Sequence, residues 1–198
     1  LDALLDFIDD VGMSCLSHYN KRTDFANVKT VVCLGWYGLT AQEIAILPRS
    51  CTIKEGDSFW IIKPNGDQVK VPERIFTIIS EFGSLTAYRA LPSGKKVFLR
   101  ADSTYLFRPM LTEHETVEDT HIVQTIYRFN SSIPQNFNHA INFRKLRKNA
   151  LFVEVYNDTS DKLLVEKIAD HMACTRRVAR GYKLEYDRWV KLYHGELA

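Results

Sequence analysis

The chain has 198 residues, of which 45% are apolar and 25% are charged, a composition that excludes disordered and collagen-like polypeptides. Its formal net charge of +2 excludes a supercharged tail and an overall basic nucleic-acid binder. No apolar run approaches the roughly 18–20 residues that a bilayer-spanning helix needs, so no membrane span is predicted. The length allows one domain with a full core or two small ones. Because no stretch of the sequence reads as a convincing linker, a single domain over residues 1–198 is predicted.

The start of the chain and its cysteines bear on location. The sequence begins at Leu1 without a methionine, so the question of residues before it, a targeting segment included, stays open. Four cysteines, at positions 15, 33, 51 and 174, include no pair with CxxC spacing. Free thiols in a reducing compartment are therefore favoured over disulfides, and a cytoplasmic location is predicted.

Charge is distributed unevenly along the chain. Residues 1–140 contain 14 Lys and Arg against 16 Asp and Glu, whereas residues 141–191 contain 12 against 7. The near-neutral total therefore conceals an acidic part and a basic part. This asymmetry places any surface that contacts an anion in the C-terminal third.

Two segments open the chain. In the first, apolar residues recur at helical spacing and aspartates lie off the stripe, which predicts a helix over about 1–16. Residues 28–37 are rich in β-branched and aromatic side chains and are bounded by Asn27 and Gly38, which predicts a strand.

The middle of the chain contains local start and turn signals. Thr40 and Glu43 form the sequence pattern of a capping box, so residues 41–47 are either a short helix or a strand. Residues 51–63 are predicted to be one strand, and Asn65-Gly66 predicts a tight hairpin to a partner strand at 68–71.

Further elements follow up to residue 156. Pro72 and a helical apolar stripe predict a helix over 72–82. A second hairpin is predicted to pair 85–91 with 95–100 across Pro92-Ser93-Gly94. Three more strands are predicted from β-branched and aromatic content; they are 104–108, 121–129 and one within 142–156, at 151–156.

The C-terminal segment shows a long helical periodicity. At 100° per residue, most apolar residues of 161–193 fall within an arc of about 120°, and most charged residues lie opposite. The phase is kept across Gly181, which predicts one helix about 50 Å long over roughly 160–193. A compact domain of this size has a radius of gyration of about 16 Å. Such a helix either lies across the whole body or projects as an arm.

These elements predict an α+β fold. A mostly antiparallel sheet or sandwich of about six to eight strands is expected at its centre, because the hairpins require antiparallel pairing. The N-terminal helix, the helix at 72–82 and the long C-terminal amphipathic helix are expected to flank the sheet.

Two groups of side chains contain potential ligands or nucleophiles, and in each the sequence favours a structural role. His114, Glu118 and His121 lie at i, i+4 and i+7 and could ligate a metal on a helix, but the neighbouring threonines and valine favour a loop or strand. Cys174 and His171 are three residues apart, yet His171 falls in the apolar arc and is read as a packed side chain. Hydrolase, Walker and dinucleotide motifs are missing. No metal, cofactor or catalytic residue is predicted.

Two basic clusters could contact RNA, DNA or another polyanion through phosphate charge. They are Arg144, Lys145, Arg147 and Lys148 in one cluster and Arg176, Arg177 and Arg180 in the other, with Arg188 and Lys191 further on. The alternative is an ordinary solvated helix face and a charged edge strand.

The aromatic residues of the last segment form a candidate surface for self-association. They are Tyr182, Tyr186, Trp189 and Tyr193. Packing inside one chain and pairing between chains both fit this apolar face, which is similar to that of the first helix.

Three functional classes follow. The first is a non-enzymatic structural module, coat-, matrix- or scaffold-like, that forms a homo-oligomer through its terminal helices. The second is an RNA- or DNA-binding module that uses the basic C-terminal third. The third is an enzyme with a dispersed, motif-free active site, a question that the sequence leaves open while favouring a non-enzyme.

Overall fold

A computed structural model provides the structure, and its well-placed residues are the ones described. They are 1–15, 25–89, 96–109, 115–133, 140–157, 164–172 and 174–193. They form two compact units, residues 1–143 and residues 144–198. Each unit is described by itself, and the single domain over 1–198 stays a prediction.

The described residues contain eight helices and five strands. In chain order they are α1 (Asp2–Cys15), α2 (Phe25–Trp36), α3 (Ala41–Ala45), β1 (Thr52–Glu55), β2 (Ser58–Ile62), β3 (Gln68–Val71), α4 (Glu73–Ser84), β4 (Ala87–Arg89), β5 (Lys96–Phe98), α5 (Asp119–Ser132), α6 (Phe143–Asn157), α7 (Val165–His171) and α8 (Arg176–Tyr193). The α1 helix confirms the one predicted over 1–16, and α4 confirms the one predicted over 72–82.

Helix α2 is the centre of the first unit, where the sequence predicted a strand over 28–37. It contacts α1, α3, α4 and α5, and it buries every residue from Val28 to Gly35 except Lys29. A helix buried on most sides has no polar face, so its periodicity is weak and its β-branched content suggests a strand.

Gly35 allows the backbone of α2 to lie close to Phe143, because a Cβ at this position would be 2.7 Å from the Phe143 ring.

A three-stranded antiparallel sheet, in the order β1-β2-β3, packs against α4. The predicted single strand over 51–63 is two strands, because the chain turns at Gly56, where φ is +57°. The second turn confirms the Asn65-Gly66 hairpin: Gly66 has φ +90°, and Phe59 pairs with Val71. Both turns use a conformation that a side chain with a Cβ rarely adopts.

A short-range signal is confirmed at α3, and a long-range ion pair joins α1 to α4. The capping box is complete, since the Glu43 amide donates to Thr40 Oγ1 at 3.1 Å and the Thr40 amide donates to Glu43 Oε2 at 2.6 Å. It settles this segment as a helix rather than a strand. The Arg74 guanidinium bridges to α1 through Asp2 and Asp6, at 2.9 and 2.6 Å.

The second predicted hairpin is present as the antiparallel pair β4–β5, while its turn residues 92–94 lie outside the described residues. The strand predicted over 104–108 is reduced to an isolated bridge between Pro48 and Tyr105. The unit therefore contains a small two-stranded ribbon beside its three-stranded sheet.

The strand predictions over 121–129 and 151–156 are wrong, because both segments are helical, in α5 and α6. In α5 the buried residues Ile122, Thr125, Ile126 and Phe129 follow the i, i+3, i+4, i+7 spacing of a helix. The exposed Val123 and Tyr127 on the other face produced the appearance of a strand buried on both sides.

The predicted single helix over 160–193 is two helices, α7 and α8. The first ends at His171, the C-cap Met172 donates its amide to the Ile168 carbonyl, and Thr175 lies immediately before the second. The two helices pack against each other. Because both turn their apolar faces toward one core, the helical phase continues through the break and the sequence conceals it. The length argument for a projecting arm of about 50 Å is therefore wrong.

The sheet or sandwich of six to eight strands is wrong for the same reasons. The structure is a mixture of helices and strands in which the larger sheet of the described residues has three strands. None of the helices described is both long enough and apolar enough to cross a membrane.

The capping box of α3 provides a test of this part of the fold. Thr40→Ala removes the acceptor of the Glu43 amide and is expected to lower the free energy of unfolding by about 1 kcal/mol. Thr77→Ala is the matched control, because Thr77 is exposed within α4 and caps no helix. Urea denaturation measures both variants. Equal effects of the two substitutions would contradict the capping role.

Candidate polyanion-binding surface

The core of the second unit sets the orientation of α8. It contains Leu151, Phe152 and Val155 of α6 together with Ile168, Met172 and Ala179. Tyr182 and Tyr186 are half-buried and pack against this cluster. At 100° per residue, positions 179, 182 and 186 lie within about 60°, so one side of α8 faces the core.

The opposite side of α8 carries what we term the basic stripe. Its members are Arg176, Arg177, Arg180, Arg188 and Lys191, all exposed. On a helical projection they occupy an arc of about 120°, and they extend over about 22 Å of the helix axis. The periodicity that buries one side of α8 therefore collects five cations on the other.

The carboxylates of α8 are engaged by lysines. Glu185 forms an ion pair with Lys148, and Asp187 forms one with Lys183, four residues earlier. Arg176 Nε lies 3.9 Å from Glu166 Oε1, and both side chains are exposed, so this contact is weak. The ion pairs neutralise the negative charge on α8, which leaves the basic stripe with a positive field.

The first predicted cluster divides into two pairs. Arg144 and Lys145 are exposed at the start of α6. Arg147 and Lys148 are each only 8% exposed. The Arg147 guanidinium donates to the His171 carbonyl, and Lys148 pairs with Glu185 while lying 5.6 Å from the centre of the Phe152 ring. These two cations stabilise the second unit, and little of either is accessible to a ligand.

The residues predicted for self-association also divide. Tyr186 meets Phe152 edge-on, with ring centroids 5.1 Å apart, and Tyr182 packs against the same cluster. The side chains of Trp189 and Tyr193 lie outside the described portion of the structure. Packing within the chain therefore uses both of the rings that the structure describes, and self-association stays a prediction.

Among the residues that the structure describes, the remaining chemical groups do not assemble into a recognisable site. Of the proposed metal triad, His114 is outside the described residues, and no cluster of three His, Cys, Asp or Glu among those described could hold a metal ion. Burial lowers the pKa of His121, and Arg128 lowers it further. His171 Nε2 lies 3.1 Å from the Arg147 carbonyl oxygen, which fits the packed role predicted for this histidine.

The buried thiols bear on nucleophilic chemistry. Burial raises the pKa of Cys33 and of Cys51 to about 12. A cysteine nucleophile reacts as the thiolate and needs a lowered pKa, so neither side chain is suited to that role at neutral pH.

Sequence reasoning located most of the basic stripe but overlooked the division of the first cluster. Helical periodicity alone groups Arg188 and Lys191 with the arginines at the start of α8. By contrast, the ion pair of Lys148 with Glu185 joins residues 37 positions apart, so no local sequence pattern predicts it.

The packing of Tyr186 gives a prediction about the second unit. A double-mutant cycle of Phe152→Leu and Tyr186→Leu is expected to show a coupling of about 0.5–1.5 kcal/mol, because the two rings meet edge-on. Leu184→Ala, on the exposed side of the same helix, should change stability by less than about 0.5 kcal/mol. Urea denaturation measures all variants. A coupling near zero, with Tyr186→Leu changing the solution mass instead, would assign the ring to self-association.

Comparison with known proteins adds no family to this geometry. No protein-family model matches the chain, and no curated protein is significantly similar to it. Function is therefore argued from the side chains themselves, and the basic stripe is the strongest feature from which to argue.

Proposed function

We propose that the chain is a nucleic-acid-binding module whose second unit holds phosphates along the basic stripe. The observation that carries the proposal is the exposed row of four arginines and one lysine on α8, in a helix whose two carboxylates are already ion-paired. Arginine suits this role because its planar guanidinium can bind phosphate oxygens in a bidentate manner.

The size of the stripe fits contact with several phosphates. Duplex DNA carries one negative charge per roughly 1.7 Å of its axis, so about 22 Å of helix faces enough phosphates for every cation. Each neutralised phosphate releases bound counterions, which supplies affinity that does not depend on sequence. The overall charge of +2 is no obstacle, because the binding surface is local and its positive charge is concentrated.

The alternatives from the sequence have different support. A self-associating coat-, matrix- or scaffold-like module stays a prediction, but one long helix had been its main argument, and α7 and α8 replace that helix. An enzyme with a dispersed active site also stays a prediction. The raised pKa values of Cys33 and Cys51 do not favour a nucleophile at those positions.

Charge reversal on the stripe tests the proposal. The double variant Arg177→Glu/Arg180→Glu is expected to weaken binding of labelled polynucleotides by more than about tenfold and to reduce the salt slope by about 2, because two phosphate contacts are lost. Fluorescence anisotropy of the full chain over a range of salt concentrations measures both quantities.

The matched control changes the net charge by the same amount elsewhere. Lys54→Glu/Lys70→Glu reverses two exposed lysines on the β1-β2-β3 sheet of the first unit and should leave both affinity and salt slope nearly unchanged. Equal losses in the two double variants would mean that net charge alone governs binding, which would contradict the proposal. Thermal melts show that each variant is folded.

A further inference from the structure

The described aromatic rings of α8 are turned away from the basic stripe. Tyr182 and Tyr186 pack against the core cluster, and Tyr186 makes an edge-on contact with Phe152. Proteins that bind single strands without sequence preference stack the bases on exposed aromatic side chains. Neither of these two described rings is available for stacking, and a ligand whose bases are already stacked in a duplex needs no such ring.

The stripe also has an internal arrangement. On the helical projection Arg176, Arg180 and Lys191 lie on one side and Arg177 and Arg188 lie on the other, about 40–120° apart. Asp187 falls on the first side as well, where it is paired with Lys183. Leu184 lies between the two rows and is 61% exposed. Its exposure leaves this apolar side chain accessible to a ligand that the flanking cations hold, and burying it there would remove apolar surface from water.

This pattern fits the cross-section of a DNA groove. The major groove of B-form DNA is about 12 Å wide and admits an α-helix, which measures about 10–12 Å across with its side chains. A helix lying there has phosphates on both sides and base edges beneath. The two cationic rows of α8 would face the two backbones, and Leu184 would face the bases. A-form RNA is disfavoured, because its major groove is deep and narrow.

We propose that the ligand of the basic stripe is B-form duplex DNA, with α8 in the major groove and Leu184 against the methyl groups of thymine. This inference rests on the proposed function and names its substrate class. The thymine methyl is the apolar group that the major groove displays, whereas the minor groove displays none. A preference that depends on this methyl would therefore place the helix in the major groove.

The experiment compares four probes of one mixed sequence: duplex DNA, the same duplex with uracil in place of thymine, single-stranded DNA and duplex RNA. The full chain is expected to bind duplex DNA at least about tenfold more tightly than single-stranded DNA or duplex RNA. Loss of the thymine methyls should weaken binding about fourfold, the value for one buried methyl-sized group.

Variants separate the groove contact from the phosphate contacts. Leu184→Ala should abolish most of the difference between the thymine and uracil duplexes while keeping the salt slope of the unmodified chain. Leu164→Ala is the matched control, since Leu164 is 56% exposed just before α7 and lies off the stripe. It should keep the full difference.

The outcomes distinguish this inference from the proposed function. Equal or tighter binding of single-stranded DNA or duplex RNA, still lost in Arg177→Glu/Arg180→Glu, would overturn the duplex assignment and leave the proposed function standing. Equal affinity for the thymine and uracil duplexes would overturn the major-groove contact. Binding of none of the probes, or binding that is insensitive to Arg177→Glu/Arg180→Glu, would overturn both.

Discussion

Packing of α7 against α8 over one aliphatic and aromatic cluster determines what the second unit presents to solvent. Ile168, Met172 and Ala179 are buried with Phe152, and Tyr182 and Tyr186 close over them. Because the buried residues of α8 occupy one side, the arginines of the basic stripe are left on the solvent side, together with the exposed Leu184. The exposed row of cations therefore follows from core formation. No contact between its members is needed to keep them on one side of the helix.

The same packing assigns two different roles to chemically similar residues. Arg147 and Lys148 satisfy a backbone carbonyl and a carboxylate inside the second unit, where an unpaired cation would be costly. Arg177 and Arg180 remain in solvent, where their charges act at a distance and are screened by salt. Composition alone cannot separate these roles, since all four residues belong to basic clusters that look alike in the sequence.

Sequence reasoning predicted the features that depend on residues close together in the chain and missed those that depend on distant residues. The capping box at Thr40 and the hairpin at Gly66 were predictable because the partners lie within a few residues of each other. The strand predicted over 28–37 was wrong because a buried helix and a buried strand both show apolar side chains all round. The strand predicted over 121–129 was wrong because the exposed Val123 and Tyr127 make the outer face of α5 look apolar. The break between α7 and α8 was concealed because one core keeps both helices in phase. For the site, helical periodicity identified the basic stripe. That Lys148 is not available to a ligand could not be predicted, because its ion pair with Glu185 joins distant segments of the chain.

Arginine footprinting tests the central claim, that the stripe and not the buried cations meets a polyanion, most directly. An arginine-selective dicarbonyl reagent, read by mass spectrometry, would be applied to the full chain with and without duplex DNA. The account predicts that Arg177, Arg180 and Arg188 react in the free protein and are protected by DNA, while the exposed Arg128 of the first unit reacts equally in both. Full reactivity of the three stripe arginines under DNA concentrations that saturate binding would contradict it.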